Sequence, residues 1–300
     1  MQLLVFWLVY PLLWLISRLP FRLFYTVSDI LFFIVYRVIG YRKKTVTANL
    51  KLAFPEKSSE EIQKIRNRFY RHMCDMFLEM IKSISISEKE LRRRFVFTNL
   101  EEIERLQQLE KSVILICGHY ASYEWANAIQ LYPHKYKSFG IYKKIRNPYF
   151  DRLIKKIRER FNADIIPNTK APATMLKYQR VGILGIYAMI ADQSPKINQA
   201  KYRTTFMDHL VPVFVGSEKL AVRLDMAVVY LHVEKTGRGF YKATFKTITD
   251  TPKTEPEFSI TRRYFDLLEE QIKEKPEYYL WTHKRWKHMN APTSKEVQIF

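Results

Sequence analysis

A chain of 300 residues with 47% hydrophobic content can bury one sizeable core and leaves no room for two large domains. Fifty Lys and Arg against 30 Asp and Glu give a formal net charge of +20, which calls for a polyanionic partner: nucleic acid, an anionic membrane or a phosphorylated substrate. The two cysteines, Cys74 and Cys117, exclude a disulfide framework and fit a reducing compartment.

Residues 3–16 hold no charge, and residues 23–39 are apolar apart from Asp29 and Arg37. Each run is short of the roughly 20 apolar residues of a spanning helix. No basic region precedes the first run and no small-residue cleavage site comes after it, which argues against a signal peptide. Residues 1–40 therefore read as a retained membrane anchor, either one short tilted span or a hairpin lying partly in the interface. The competing reading is a pair of buried core helices. Trp7, Tyr10, Trp14, Tyr25 and Tyr36 are rings that suit headgroup depth, and Arg42, Lys43 and Lys44 form a basic stop that favours the cytoplasmic face for residues 41–300.

Ser58-Ser59-Glu60-Glu61 is a capping-box start, and apolar residues recur at Ile62, Ile65, Phe69, Met73, Met76, Met80 and Ile84, predicting one long amphipathic helix. Its polar face carries Lys64, Arg66, Arg68 and Arg71, by default a solvated face and functionally a contact for anionic headgroups. After Arg92-Arg93-Arg94 the pattern reads strand, helix, strand, helix over residues 95–97, 100–109, 113–117 and 122–131. Short strands come next near 138–142, 164–166 and 182–187, with a helix over 148–161. Such alternation predicts a mixed, mainly parallel central sheet flanked by helices, with function gathered at the carboxyl ends of the strands.

His119 falls at such an end, just after the buried apolar run Val113-Ile114-Leu115-Ile116-Cys117 and Gly118, and Glu124 falls in the first turn of the next helix. Residues five apart on one continuous helix point away from each other, so the two meet only if a turn separates them, as predicted here. A carboxylate on one ring nitrogen would fix the tautomer of His119 and leave the other nitrogen free to take a proton from a hydroxyl. A structural His–acid pair is the plainer alternative, but of the seven histidines only His119 has an acidic residue five positions on. Cys117, on the same strand face, is a conceivable nucleophile, although a Cys inside an apolar strand is usually a small buried hydrophobe.

Farther on, Ala191-Asp192-Gln193-Ser194-Pro195 breaks an apolar run, and Asp192 there commonly begins a turn. Gly216 or Ser217 opens a helix with an anion-ready N-terminus. Strands over 227–233 and 240–245 read as a hairpin through Gly237 and Gly239, and a last helix over 257–275 leads into Pro276 and the aromatic-basic segment up to Lys287. No P-loop, GxGxxG or HExxH occurs, and His283 with His288 lacks partner ligands, so neither a metal nor a cofactor is expected.

Several blocks together resemble the bacterial late acyltransferases of lipid A synthesis, the lauroyl/myristoyl transferase group of the lysophospholipid acyltransferase superfamily. They are the apolar N-terminus with Tyr41-Arg42-Lys43-Lys44 and Asn49-Leu50-Lys51-Leu52-Ala53-Phe54-Pro55 after it; Gly118-His119-Tyr120-Ala121-Ser122-Tyr123-Glu124-Trp125; Ala191-Asp192-Gln193; and the segment 276–287. The resemblance covers almost the whole chain. It implies an acyltransferase domain over 41–300 behind the 1–40 anchor, with His119 and Glu124 as the His-x4-acid catalytic pair. It also implies substrate-binding roles for Tyr142, Lys143, Lys144, Arg146, Asn147, Arg158, Arg160 and Asp192. Asn162 departs from the family by standing where relatives have glycine, and the Gln193-Ser194-Pro195 loop is longer and more polar.

The implied reaction moves an acyl chain from a thioester, with acyl carrier protein as donor, to a hydroxyl of a phosphorylated glycolipid acceptor at the cytoplasmic face of a bacterial inner membrane. His119 would act as base and Glu124 would hold its ring. Backbone N–H groups after His119, or Arg158 and Arg160, are the candidate oxyanion donors. A lysophospholipid or aminolipid acceptor is an alternative. From another class, so is a membrane-tethered nucleic-acid-binding protein, against which stand the scattered basic residues and the lack of any recognition motif.

Overall fold

The computed structural model describes residues 2–291 and 297–300, so residue 1 of the expected anchor and residues 292–296 of the expected catalytic domain lie outside the described residues. In chain order the helices are α1 (Gln2–Arg18), α2 (Phe21–Phe32), α3 (Lys43–Ala53), α4 (Ser59–Lys82), α5 (Glu88–Arg94), α6 (Glu101–Gln108), α7 (Pro148–Glu159), α8 (Ala171–Arg180), α9 (Gly216–Leu224) and α10 (Ser259–Glu274). The strands are β1 (Phe95–Phe97), β2 (Val113–Cys117), β3 (Lys137–Tyr142), β4 (Asp164–Pro167), β5 (Gly185–Ile190), β6 (Tyr202–Phe206), β7 (His209–Pro212), β8 (Ala227–Gly237), β9 (Phe240–Thr249) and β10 (Gln298–Ile299).

Seven strands form one sheet in the order β1-β9-β8-β2-β5-β3-β4. β8, β2, β5, β3 and β4 are parallel neighbours, while β9 returns antiparallel to β8 and carries β1 parallel to itself. The expected mixed, mainly parallel sheet is therefore present. Every residue of β2 is buried, as its unbroken apolar sequence requires of a strand covered on both faces. The expected strand near 182–187 lies three residues later, because Gly182 at φ +69° first closes the turn after α8. A separate sheet, β10-β6-β7, has no counterpart in the sequence pattern. Its β6–β7 turn is made by Met207 and Asp208, both at positive φ, which is hairpin geometry without the usual Asn-Gly signal.

α4 begins as predicted: Ser58 Oγ accepts from the Glu61 N–H (3.2 Å), and Glu61 Oε2 accepts from the Ser58 N–H (2.8 Å). It buries more than its apolar stripe, because α1 and α2 lie across it. Ser28 Oγ donates to Asp75 Oδ1 (2.7 Å) and the Tyr25 hydroxyl donates to Glu79 Oε1 (3.0 Å), so the polar residues His72, Asp75 and Glu79 are enclosed.

The N-terminal forty residues are in part buried, as the core-helix reading expects. Phe24, Phe32 and Tyr36 are buried in the body of the protein, and Tyr25 and Tyr36, expected at headgroup depth, are buried too, Tyr36 against Tyr70 (4.8 Å). The other faces are bare: α1 exposes Leu4, Trp7, Leu8, Leu12 and Leu15, and the α2 segment, α2 continued by a π-helix over Phe33–Ile39, exposes Leu23, Ile30, Phe33, Val38 and Ile39. Among the described residues no single helix is long and apolar enough to cross a membrane. The α2 segment and α3 reach that length only together, across a 93° bend at Gly40, which takes φ +64°.

Candidate active site

Cys117 at the end of β2 and Ile190 at the end of β5 are register partners in neighbouring parallel strands. His119 and Asp192 lie two residues past each, so strand pairing itself sets them side by side at the carboxyl edge of the sheet. His119 Nδ1 sits 2.6 Å from Asp192 Oδ1, and Asp192 is buried. With Nδ1–H donating to that carboxylate, Nε2 is the free lone pair, and the Gln193 amide nitrogen lies 3.4 Å from it. The ring edge also packs against Tyr123 (centroids 5.1 Å apart).

The backbone that presents His119 is held from behind. The Leu280 N–H donates to the His119 carbonyl and the Ala121 N–H to the Tyr278 carbonyl, both at 3.0 Å, so the segment after α10 straps the loop down. At Gly118 a Cβ would stand 2.6 Å from Leu268 Cδ1, which is why α10 can pack so near the histidine only against glycine. Ala121 takes φ +51°, a left-handed conformation that supplies the turn predicted between His119 and Glu124.

That turn does not bring Glu124 onto His119. The segment Tyr123–Leu131 is a 3-10 helix rather than the expected α-helix, and its tighter winding of about 120° per residue directs Glu124 to α7. There Arg158 donates from Nε to Glu124 Oε2 (2.9 Å) and from Nη2 to Oε1 (2.5 Å), a bidentate pair. The carboxylate that orients the histidine is Asp192, a residue expected from the sequence to bind substrate. Two apolar strands each ending, two residues on, in a chemically capable side chain were the available signal. Sequence spacing could not show that the strands are neighbours.

Electrostatics obey this geometry. Burial drives the His119 pKa down, but the charge and hydrogen bond of Asp192, with Glu124 adding to them, outweigh it and raise the imidazole above its ordinary value. Burial likewise opposes ionisation of Asp192, yet the charge and hydrogen bond of His119 hold its carboxyl below the usual range. Cys117 is pushed up to about 12 by burial and by the charges of Asp192 and Glu124, so it stays a thiol near neutral pH, as a small buried side chain does.

His119, Glu124, Arg158, Lys143 and Gln193 share one cavity of about 420 Å³, whose buried wall is apolar and includes Leu115, Phe139, Ile186 and Leu231. This is the size range of small-molecule sites. Tyr142 also lines it, its hydroxyl donating to Asp151 Oδ2 (3.2 Å), while Lys144 and Arg146 are exposed on the loop before α7. Two expected binding residues have other work. Asn147 Oδ1 caps α7 by accepting from the Tyr149 N–H (3.0 Å), and Arg160 donates to the carbonyls of Ser83 and Ile86. Asn162 takes φ +63°, a left-handed conformation in which Asn is among the side chains best tolerated.

The family model described as bacterial lipid A biosynthesis acyltransferase matches residues 1–288. The lipid A biosynthesis lauroyltransferase of Escherichia coli (strain K12) is 24% identical over 285 residues, covering 94% of this chain and 90% of that protein. The lipid A biosynthesis acyltransferase 2 of Shigella flexneri is 23% identical over 176 residues, covering 57% of this chain and 56% of that protein. A match from one end of the chain nearly to the other, taking in the strand ends that carry His119 and Asp192, places the chain in the bacterial lipid A biosynthesis acyltransferase family, and it is an acyltransferase.

Proposed function

We propose that this enzyme transfers a fatty acyl chain from an acyl thioester, carried by acyl carrier protein, to a hydroxyl of a phosphorylated lipid A precursor. The observation that carries this reading is the His119–Asp192 pair at 2.6 Å, with His119 lining a cavity whose buried wall is apolar. The acyl chain lies along the apolar wall with its thioester carbonyl beside His119. The acceptor oxygen attacks that carbonyl as Nε2 takes its proton, and Asp192 stabilises the imidazolium. As the tetrahedral intermediate collapses, the carbon–sulfur bond breaks and the proton passes from Nε2 to the leaving thiolate. Glu124 acts through Arg158, which it holds at the cavity as the cation nearest the reacting carbonyl and the acceptor phosphate. Lys143, Lys144 and Arg146 add positive charge at the exposed side.

The bare apolar faces of α1 and α2, beside a groove lined by Lys43, Lys44, Lys51 and Arg66, support a helical pair lying in the interface of an anionic inner membrane on its cytoplasmic side. Incubating the purified enzyme with acylated carrier protein and a phosphorylated lipid A precursor tests the reading by mass spectrometry. One added acyl group, lost with His119→Ala, is expected. Transfer by His119→Ala at wild-type rate, or no transfer by wild type to any lipid A precursor, would overturn it.

A further inference from the structure

Behind the Asp192 loop lies a charged side chain to which acyl transfer by His119 and Asp192 gives no part. Arg285 is only 1% exposed and has no acidic partner within ion-pair distance among the described residues. Its Nη1 donates to Ser194 Oγ (3.0 Å) and to the Pro212 carbonyl (3.1 Å), and the Ser194 hydroxyl donates back to the Arg285 carbonyl (2.5 Å). The guanidinium sits over the neighbouring rings of Phe206 (5.2 Å) and Phe265 (5.6 Å). Its Nε and Nη2 are buried without a hydrogen-bond partner. An arginine held this way is costly, and replacing it by a neutral side chain of similar volume would relieve that cost, so packing alone does not account for it.

We infer that Arg285 is a positioning residue for acyl transfer: with Ser194 it clamps the Asp192-Gln193 turn and so holds the Asp192 carboxylate against His119. The inference rests on the proposed His119–Asp192 chemistry. The clamp reaches Asp192 by the shortest covalent route, since Ser194 is two residues on, and the Ser194 N–H is fixed as well by His283 Nε2 (3.3 Å). Besides His119, the other titratable groups facing Asp192 are Cys117, Tyr123, Tyr230, Tyr264, Tyr279 and His283. Burial keeps the thiol and the tyrosine hydroxyls neutral, and burial lowers His283 to about 4, so that it too is neutral near pH 7. Arg285 is thus the one permanent cation in that set, its charge opposed by burial and favoured by Asp192.

The test is steady-state kinetics of the full-length enzyme across pH for Arg285→Met, Arg285→Lys and Ser194→Ala, with acylated carrier protein as donor. Arg285→Met is expected to lower kcat about 10- to 100-fold with both KM values within about twofold, and to move the acidic limb of kcat to lower pH, because a loosened Asp192 no longer raises His119 as far. Arg285→Lys, which keeps the charge, is expected to recover part of kcat and most of the limb position. If Arg285→Met does not fold, Ser194→Ala cuts the same clamp without touching a charge and is expected to show a smaller kcat loss with the same direction of shift. A kcat loss with an unmoved acidic limb in Ser194→Ala or in folded Arg285→Met, or wild-type kcat in folded Arg285→Met, overturns the clamp. Wild-type activity in His119→Ala would instead sink the underlying chemistry, so the two failures are separable.

Discussion

A base that must be neutral to work, but whose partner favours its charged form, leaves a signature in pH. Because Asp192 raises the His119 imidazole, the acidic limb of kcat/KM is expected above the ordinary histidine value, activity rising as the proton leaves. Asp192→Asn removes the opposing charge: the limb should move to lower pH while the rate falls about 10²- to 10⁴-fold. A pH–rate profile of the two proteins checks both, and an unmoved limb would deny Asp192 its place on the ring. The two arginines of α7 and its end separate in the same way. Arg158→Ala strips Glu124 of its bidentate partner in the cavity and should reduce kcat/KM strongly, beyond any loss of Tm from the unpaired Glu124. Arg160→Ala leaves the Ser83 and Ile86 carbonyls without their donor, so it should cost about 1–2 kcal/mol of stability and leave kcat/KM near wild type. Equal kinetic losses for both would return Arg160 to the substrate.

At the scale of elements, α7 is the support of one cavity wall, and its start is set by one side chain. Asn147 accepts from the N–H groups of Tyr149 and Phe150 ahead of Pro148 at the first helical position. Asn147→Ala is expected to cost ~1 kcal/mol in chemical denaturation with KM for the acceptor unchanged. A rise in KM without loss of stability would make Asn147 a ligand-binding residue. The same helix shows how capping can be read locally while the role cannot. Asn-Pro before an apolar stripe is a visible helix start, and whether its amide also meets a substrate depends on what lies opposite.

Taken whole, the molecule does not part at residue 40. Phe24, Phe32 and Tyr36 share buried contacts with α4, and Arg238 from the β8–β9 hairpin pairs with both Asp29 and Asp75. Removing residues 1–40 should therefore abolish cooperative unfolding. Removing residues 1–18 takes away the bare face of α1 but few buried side chains, and should leave a folded enzyme with weakened retention on anionic vesicles. Circular dichroism and vesicle co-sedimentation measure the two halves of this expectation. A soluble, cooperatively folded 41–300 fragment would contradict it.

What the chain determined by itself is what depends on near neighbours in sequence. The capping box and stripe of α4, the all-apolar β2, the β8–β9 hairpin and the break after Gly118 all arise from local hydrogen bonding and from periodicity over a few turns. The arrangement of blocks was enough to mark the lipid A acyltransferase resemblance. What only the tertiary structure decided is which carboxylate serves His119. Glu124 is five residues away and Asp192 is 73, yet strand order places Asp192 on the ring and a 3-10 turn sends Glu124 to Arg158. The burial of Tyr25 and Tyr36 was decided the same way, since an amphipathic ring suits a headgroup or a protein interior equally well until the opposite surface is in place. Side-chain chemistry and spacing fix what a residue can do, and long-range pairing, whose partners have no signature in local periodicity, fixes which of those capabilities meet.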